Sequence, residues 1–143
     1  MALDNGYELV VRGMPYRCPD CGRNDQVVAF VHVADPQPSP HEEVGTEAGM
    51  SLAFAADMLQ AARHPLLASI KRRSFPGGDE TYLSNGCSHC DEIADPFQLA
   101  DETALIQEKD EVHTLPILAR GTRSIAEWAL LRELSYTSEF DEF

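Results

Sequence analysis

Two Cys-x-x-Cys pairs are the residues whose type and spacing could do chemistry. They are Cys18 and Cys21 in "YRCPDCGRNDQVV" and Cys87 and Cys90 in "YLSNGCSHCDEIA", and the chain has no other cysteine. A two-residue gap lets both sulfurs of one turn reach the same ion. Two such turns facing each other supply the four tetrahedral ligands that zinc prefers. Pro19 stiffens the first turn, and Gly22 can take a positive φ just after its second ligand. Asp91 holds the matching place in the second turn, tolerated there but less comfortable. The spacing therefore predicts a closed structural zinc site on Cys18, Cys21, Cys87 and Cys90. Redox-active pairs, an iron–sulfur cluster on the same thiolates and plain reduced thiols are the alternatives. A catalytic zinc is disfavoured, because four thiolates leave no position open for water.

Between Cys21 and Cys87 lie 65 residues. Loop closure costs only ~0.6 kcal/mol per doubling of length, so two doublings beyond a short spacer add about 1.2 kcal/mol. Structural zinc binding is worth on the order of 10 kcal/mol or more, so the separation is no obstacle.

The elements that must position the cysteines are short. "YELVV" (7–11) and "QVVAFVHV" (26–33) read as strands bracketing the first pair, and "TYLSN" (81–85) as a strand delivering the second. "ADPFQLAD" (94–101) is expected to complete the second hairpin, followed by an acidic helix or loop near 101–111. "VHTLPILA" (112–119) fits strand and loop equally. Between the pairs, "ADPQPSPHEEVGTE" (34–47) has three prolines at alternate positions and predicts an exposed loop. "AGMSLAFAADMLQAARH" (48–64) predicts a helix, with Met50, Phe54, Met58 and Ala61 on one face and Asp57, Gln60 and His64 on another. Its wide apolar circumference implies deep burial or a homodimer contact. Pro65 can open a second, shorter helix over 65–73. "SIAEWALLREL" (124–134) predicts another, with Ser124 and Glu127 as a capping box and Ile125, Trp128 and Leu131 on a shared face.

The fold class expected is thus α+β. A zinc ribbon of short hairpins (1–33 and 81–100) is interrupted by a helical insertion (46–73) and followed by a C-terminal helix (122–135), all in a single domain, 1–143. The segment "TYLSNGCSHCDEIADPFQLADE" resembles a pattern in bacterial and phage proteins of unknown function. It runs Tyr-x-x-Asn-x-Cys-x-x-Cys, a short gap, an acid, an aromatic and a leucine, here Tyr82, Asn85, Cys87, Cys90, Asp95, Phe97 and Leu99. The resemblance implies that Cys18 and Cys21 complete a zinc ribbon around an inserted segment, and it implies no activity. The glycine usual after the second pair is absent.

Charge limits the partners. With 24 acids against 11 bases the net charge is -13, a surface that repels phosphate backbones, so direct nucleic-acid binding is disfavoured. A basic protein partner fits, as does an acidic mimic occupying a nucleic-acid groove on another protein. "MALDNGYELVVRG" has no basic n-region and no long apolar run, and no stretch reaches 18 apolar residues. Neither a signal peptide nor a membrane span is expected, and a cytoplasmic setting keeps thiols reduced.

Other titratable clusters have bland readings. His89 should point away from the ion, His32 should be a partly buried strand residue, and His41-Glu42-Glu43 should be solvated. "KRR" (71–73) should complement a helix end, a phosphate or acidic-tail contact being the sharper alternative. The tail "TSEFDEF" is either frayed or a short docking peptide. There is no Gly-x-Ser-x-Gly, phosphate loop or His-Glu-x-x-His. The function expected is a non-enzymatic adaptor or inhibitor, with an accessory subunit or motif-less enzyme as the alternative.

Overall fold

A computed structural model describes residues 6–34, 43–47, 49–74 and 77–136. Most of the proline-rich loop, with His41 and Glu42, and the tail after Tyr136 lie outside the described residues. Valine-rich segments make the central sheet. β1 (Gly6–Arg17) and β2 (Asn24–Val33) form an antiparallel hairpin. β3 (Val44–Gly45) flanks β2 and β6 (Ile117–Ser124) flanks β1, in the order β3-β2-β1-β6. β2 is buried along Val27–Val33, which explains its nearly unbroken apolar run.

Both neighbours of β1 carry an extra residue at the same level. Arg12 pairs with Phe30 and Gly13 with Val28, so Ala29 is bulged; Val11 pairs with Ala119 and Arg12 with Ile117, so Leu118 is bulged. Bulges bend a ribbon and increase its twist. Beyond this level β6 no longer pairs, and Gly13–Arg17 with Asn24–Val28 continue as a two-stranded extension. Pro15, which has no N–H to donate, is tolerated there because β1 has become an edge.

Helices cover the sheet in two places. α1 (Gly49–Ala62) and α3 (Ile125–Tyr136) pack Leu52, Ala55, Met58, Leu59, Trp128 and Leu131 against Leu9, Val11, Val31 and Val33. The second core gathers Met14, Tyr16, Val27 and Phe30 with Ala94, Val112, Leu99 of α2 (Pro96–Glu108), and two of the cysteines, Cys18 and Cys87. α1 ends with Arg63 in the left-handed region at φ 56, and α3 starts with the expected reciprocal bonds between Ser124 and Glu127, both 3.0 Å.

Several expectations need correction. The stretch 94–101 is no strand: Asp95 accepts the Phe97 N–H at 2.9 Å, Pro96 follows, and α2 begins there. The hairpin expected around the second pair is reduced to one bridge, Gly86↔Ile93. Residues 65–73 are not one helix but a 3₁₀ turn, Pro65–Ser69, and a strand, β4 (Lys71–Arg73), paired with β5 (Tyr82–Ser84). "KRR" therefore lies on a strand rather than at a helix end. α1 buries Ser51, Leu52, Ala55, Met58 and Leu59, whereas Met50 and Ala61 are exposed, so its inner face is rotated from the one expected. Ile125 is exposed although Trp128 and Leu131 are buried.

Candidate metal centre

The bent extension of β1 and β2 carries the first cysteine turn at its tip. Cys18 N–H donates to Arg23 O at 3.1 Å, and Gly22 N–H returns to Cys18 O at 2.8 Å. Gly22 takes φ 74, as its position after the second ligand requires. The second turn repeats the pattern: Cys87 N–H donates to Glu92 O at 3.0 Å, Asp91 N–H to Cys87 O at 2.9 Å, and Asp91 takes φ 69. In each turn the first cysteine is buried and the second exposed.

The turns face each other crosswise. Cys18 Sγ lies 3.5 Å from Cys90 Sγ, Cys21 Sγ lies 3.6 Å from Cys87 Sγ, and all four sulfurs fall within 4.8 Å of one another. A tetrahedral ion with metal–sulfur bonds of about 2.3 Å needs sulfurs about 3.8 Å apart. The four cysteines are thus placed to coordinate one metal ion. Burial opposes ionisation of Cys87, but the backbone N–H groups of Cys90 and His89, with the neighbouring thiols, bring it down to about 7. At Cys90 the Glu92 N–H favours the thiolate, yet burial and the other three cysteines push it up to about 12. Thiols this close cannot all ionise together without a cation, which is the condition a metal relieves. Tyr16, buried beside them, is likewise pushed up to about 12, by burial first and by Cys18 and Cys87 next.

Side chains that the spacing of the cysteines did not announce hold the turns. Asp25, on β2 beside the first turn, accepts from Ser88 N at 2.6 Å and Ser88 Oγ at 2.9 Å, clamping one turn to the other. Partial burial works against its charge, but these bonds and that from Gln26 N–H hold its carboxylate below the usual range. Asp91 is paired with Lys71 at 2.8 Å and Arg73 at 2.7 Å, and both keep its carboxylate low. Asn85, fully buried, uses its side-chain amide as a strand would: Val28 N–H donates to Oδ1 at 3.1 Å, and Nδ2 donates to Val28 O and Thr46 O at 3.3 Å each. Within the pattern from Tyr82 to Leu99, Asn85 thus anchors the second turn to β2, Asp95 caps α2 and Leu99 fills the second core.

Among the described residues no histidine joins the sulfur cluster. His89 is exposed, its Nδ1 3.5 Å from Arg23 Nη1. His32 is buried rather than partly buried; Nδ1 faces Val33 O at 2.7 Å and Nε2 accepts from Arg12 Nε at 3.1 Å. A cleft of about 290 Å³ runs beside the second turn between Pro65, Ala68 and His89, and the Lys71 and Asp91 side chains that line it are paired with each other at 2.8 Å. No described helix is long and apolar enough to cross a membrane. Comparison with family models, curated proteins and solved structures finds no match to this chain.

Proposed function

We propose that Cys18, Cys21, Cys87 and Cys90 hold one zinc ion as a closed structural centre, and that the protein is a zinc-stabilised, non-enzymatic interaction module. The observation that carries the metal reading is the convergence of four sulfurs, from turns with 65 residues between them, to within 4.8 Å. An all-thiolate tetrahedron favours zinc as a structural ion and leaves no site for substrate or water. The net charge of -13 suits a basic protein partner and disfavours direct contact with nucleic acid. The resemblance around Tyr82–Leu99 rests on those residues alone. A homodimer through 48–64 would have to use the side of α1 left outside the core, where Ala53, Gln60 and Ala61 are exposed.

Metal analysis of purified protein is the test. One zinc per chain is expected, lost in Cys87→Ser, with cobalt substitution giving the intense thiolate charge-transfer bands of a four-sulfur site. A chain that binds no metal, or that carries iron with the visible absorption of a cluster, overturns the zinc reading. For the module, a partner captured on the zinc-loaded protein should be lost when the zinc is removed.

A further inference from the structure

Arg73 stands out as a buried cation inside a strongly acidic protein, with only 8% of its side chain exposed. Each nitrogen of its guanidinium is engaged. Nη1 donates to Ser69 O at 3.0 Å, Ser84 O at 3.1 Å and Ser84 Oγ at 3.2 Å. Nε donates to Asp91 O at 3.0 Å, and Nη2 to Asp91 Oδ1 at 2.7 Å. Gly86 leaves room for this group, since a Cβ there would collide with the guanidinium. The residue thus ties the 3₁₀ turn, β5 and the second cysteine turn together through one planar fork, a geometry lysine cannot reproduce.

We infer that Arg73 is the positioning residue of the metal centre, holding the second cysteine turn in its ligating conformation and so setting how tightly the ion is kept; this rests on the four-cysteine reading above. Asp91 is the residue whose N–H closes the turn onto Cys87 and whose φ of 69 a non-glycine residue adopts reluctantly. Arg73 grips that residue at both its carbonyl and its carboxylate, fixing the peptide that follows Cys90. Cys90 is exposed and the second turn has only a single bridge for a hairpin, so the grip replaces the strand support that the first turn enjoys.

The test is zinc affinity of the full chain, measured by competition with a chromophoric chelator, for wild type, Arg73→Met, Arg73→Lys and Leu131→Ala. Arg73→Met should bind zinc about 10- to 100-fold more weakly, the range typical of partners that orient metal ligands. Arg73→Lys should recover part of the loss. Leu131→Ala destabilises the other core and should leave the affinity unchanged, which separates positioning from loss of stability. Zinc held as tightly by Arg73→Met as by wild type, or as weakly by Leu131→Ala as by Arg73→Met, overturns the inference while wild-type zinc leaves the metal reading standing. Absence of zinc from the wild type fails that reading instead. Should Arg73→Met not fold, Asp91→Asn keeps a residue tolerant of positive φ and removes the charge; unchanged affinity there overturns the inference equally.

Discussion

The two cysteine turns have the same backbone bonds and opposite means of support. The first sits at the tip of a ribbon whose strands pair from Gly13↔Val28 to Arg17↔Asn24, and its left-handed residue is Gly22. The second has one bridge, Gly86↔Ile93, and its left-handed residue is Asp91. Backbone regularity and glycine build the first turn; a buried arginine, a lysine and a buried asparagine build the second. One ligand geometry can therefore be reached through the main chain or through side chains. The side-chain route depends on more residues, and it should be the easier one to break.

The strongest way to break it is at Gly86. Gly86→Ala drives a Cβ into the Arg73 guanidinium, which cannot give way because its bonds run to Ser69, Ser84 and Asp91. Overpacking of this kind costs about 1–3 kcal/mol, and thermal unfolding of the zinc-loaded protein should show the loss. The metal should also be lost more readily, since the displaced group is the one that grips Asp91. At Gly22, where the nearest side-chain atom a Cβ would meet is Arg17 Nη2 at 3.8 Å, the same change meets only conformational strain of about 1 kcal/mol. Equal losses at the two glycines would erase the distinction between the turns.

Exchanging the left-handed residues sharpens the comparison further. Gly22→Asp should lower stability by about 1 kcal/mol, with no cationic fork provided to repay it. Asp91→Gly relaxes the backbone yet removes the carboxylate that Lys71 and Arg73 share, leaving a buried cation without its counter-ion. Zinc competition should show weaker binding by Asp91→Gly despite the easier backbone. Tighter binding would mean that conformational strain, rather than the ion pairs, governs the second turn.

How much of this was legible follows the same division. Cys18, Cys21, Cys87 and Cys90 could be grouped from spacing because metal ligation restricts both residue type and reach, and they do converge. Gly22 and the Ser124–Glu127 capping box were legible because each is a local geometric requirement met by a particular residue. Arg73 was not. In sequence it belongs to a basic triplet, and its partners at Ser84 and Asp91 lie 11 and 18 residues away, brought near only by β4–β5 pairing. α2 was misread at its start although Asp95 and Pro96 announce a helix. Only Pro96, Leu99 and Thr103 are buried along it, too few to impose a strong helical period against the expectation of a hairpin closing beyond the second cysteine pair. β1 runs through Gly13 and Pro15, residues that normally interrupt strands, because the bulges there change which edge needs a partner.

Asp25 offers the finest test, because it is where the two turns cease to be separate. Its carboxylate takes both the N–H and the hydroxyl of Ser88 from the opposite turn. Asp25→Asn keeps the shape, weakens those bonds, and should cost about 1 kcal/mol after discounting charge-assisted bonds for partial exposure. Ser88 and Asp91 lie in the same turn, so a clamp at one end should matter more when the other end is loose. Zinc affinities of Asp25→Asn, Asp91→Asn and the double variant should then depart from additivity by about 0.5–1 kcal/mol. Strict additivity would mean that the clamp and the arginine grip hold different parts of the site, and that the second turn is two supports rather than one.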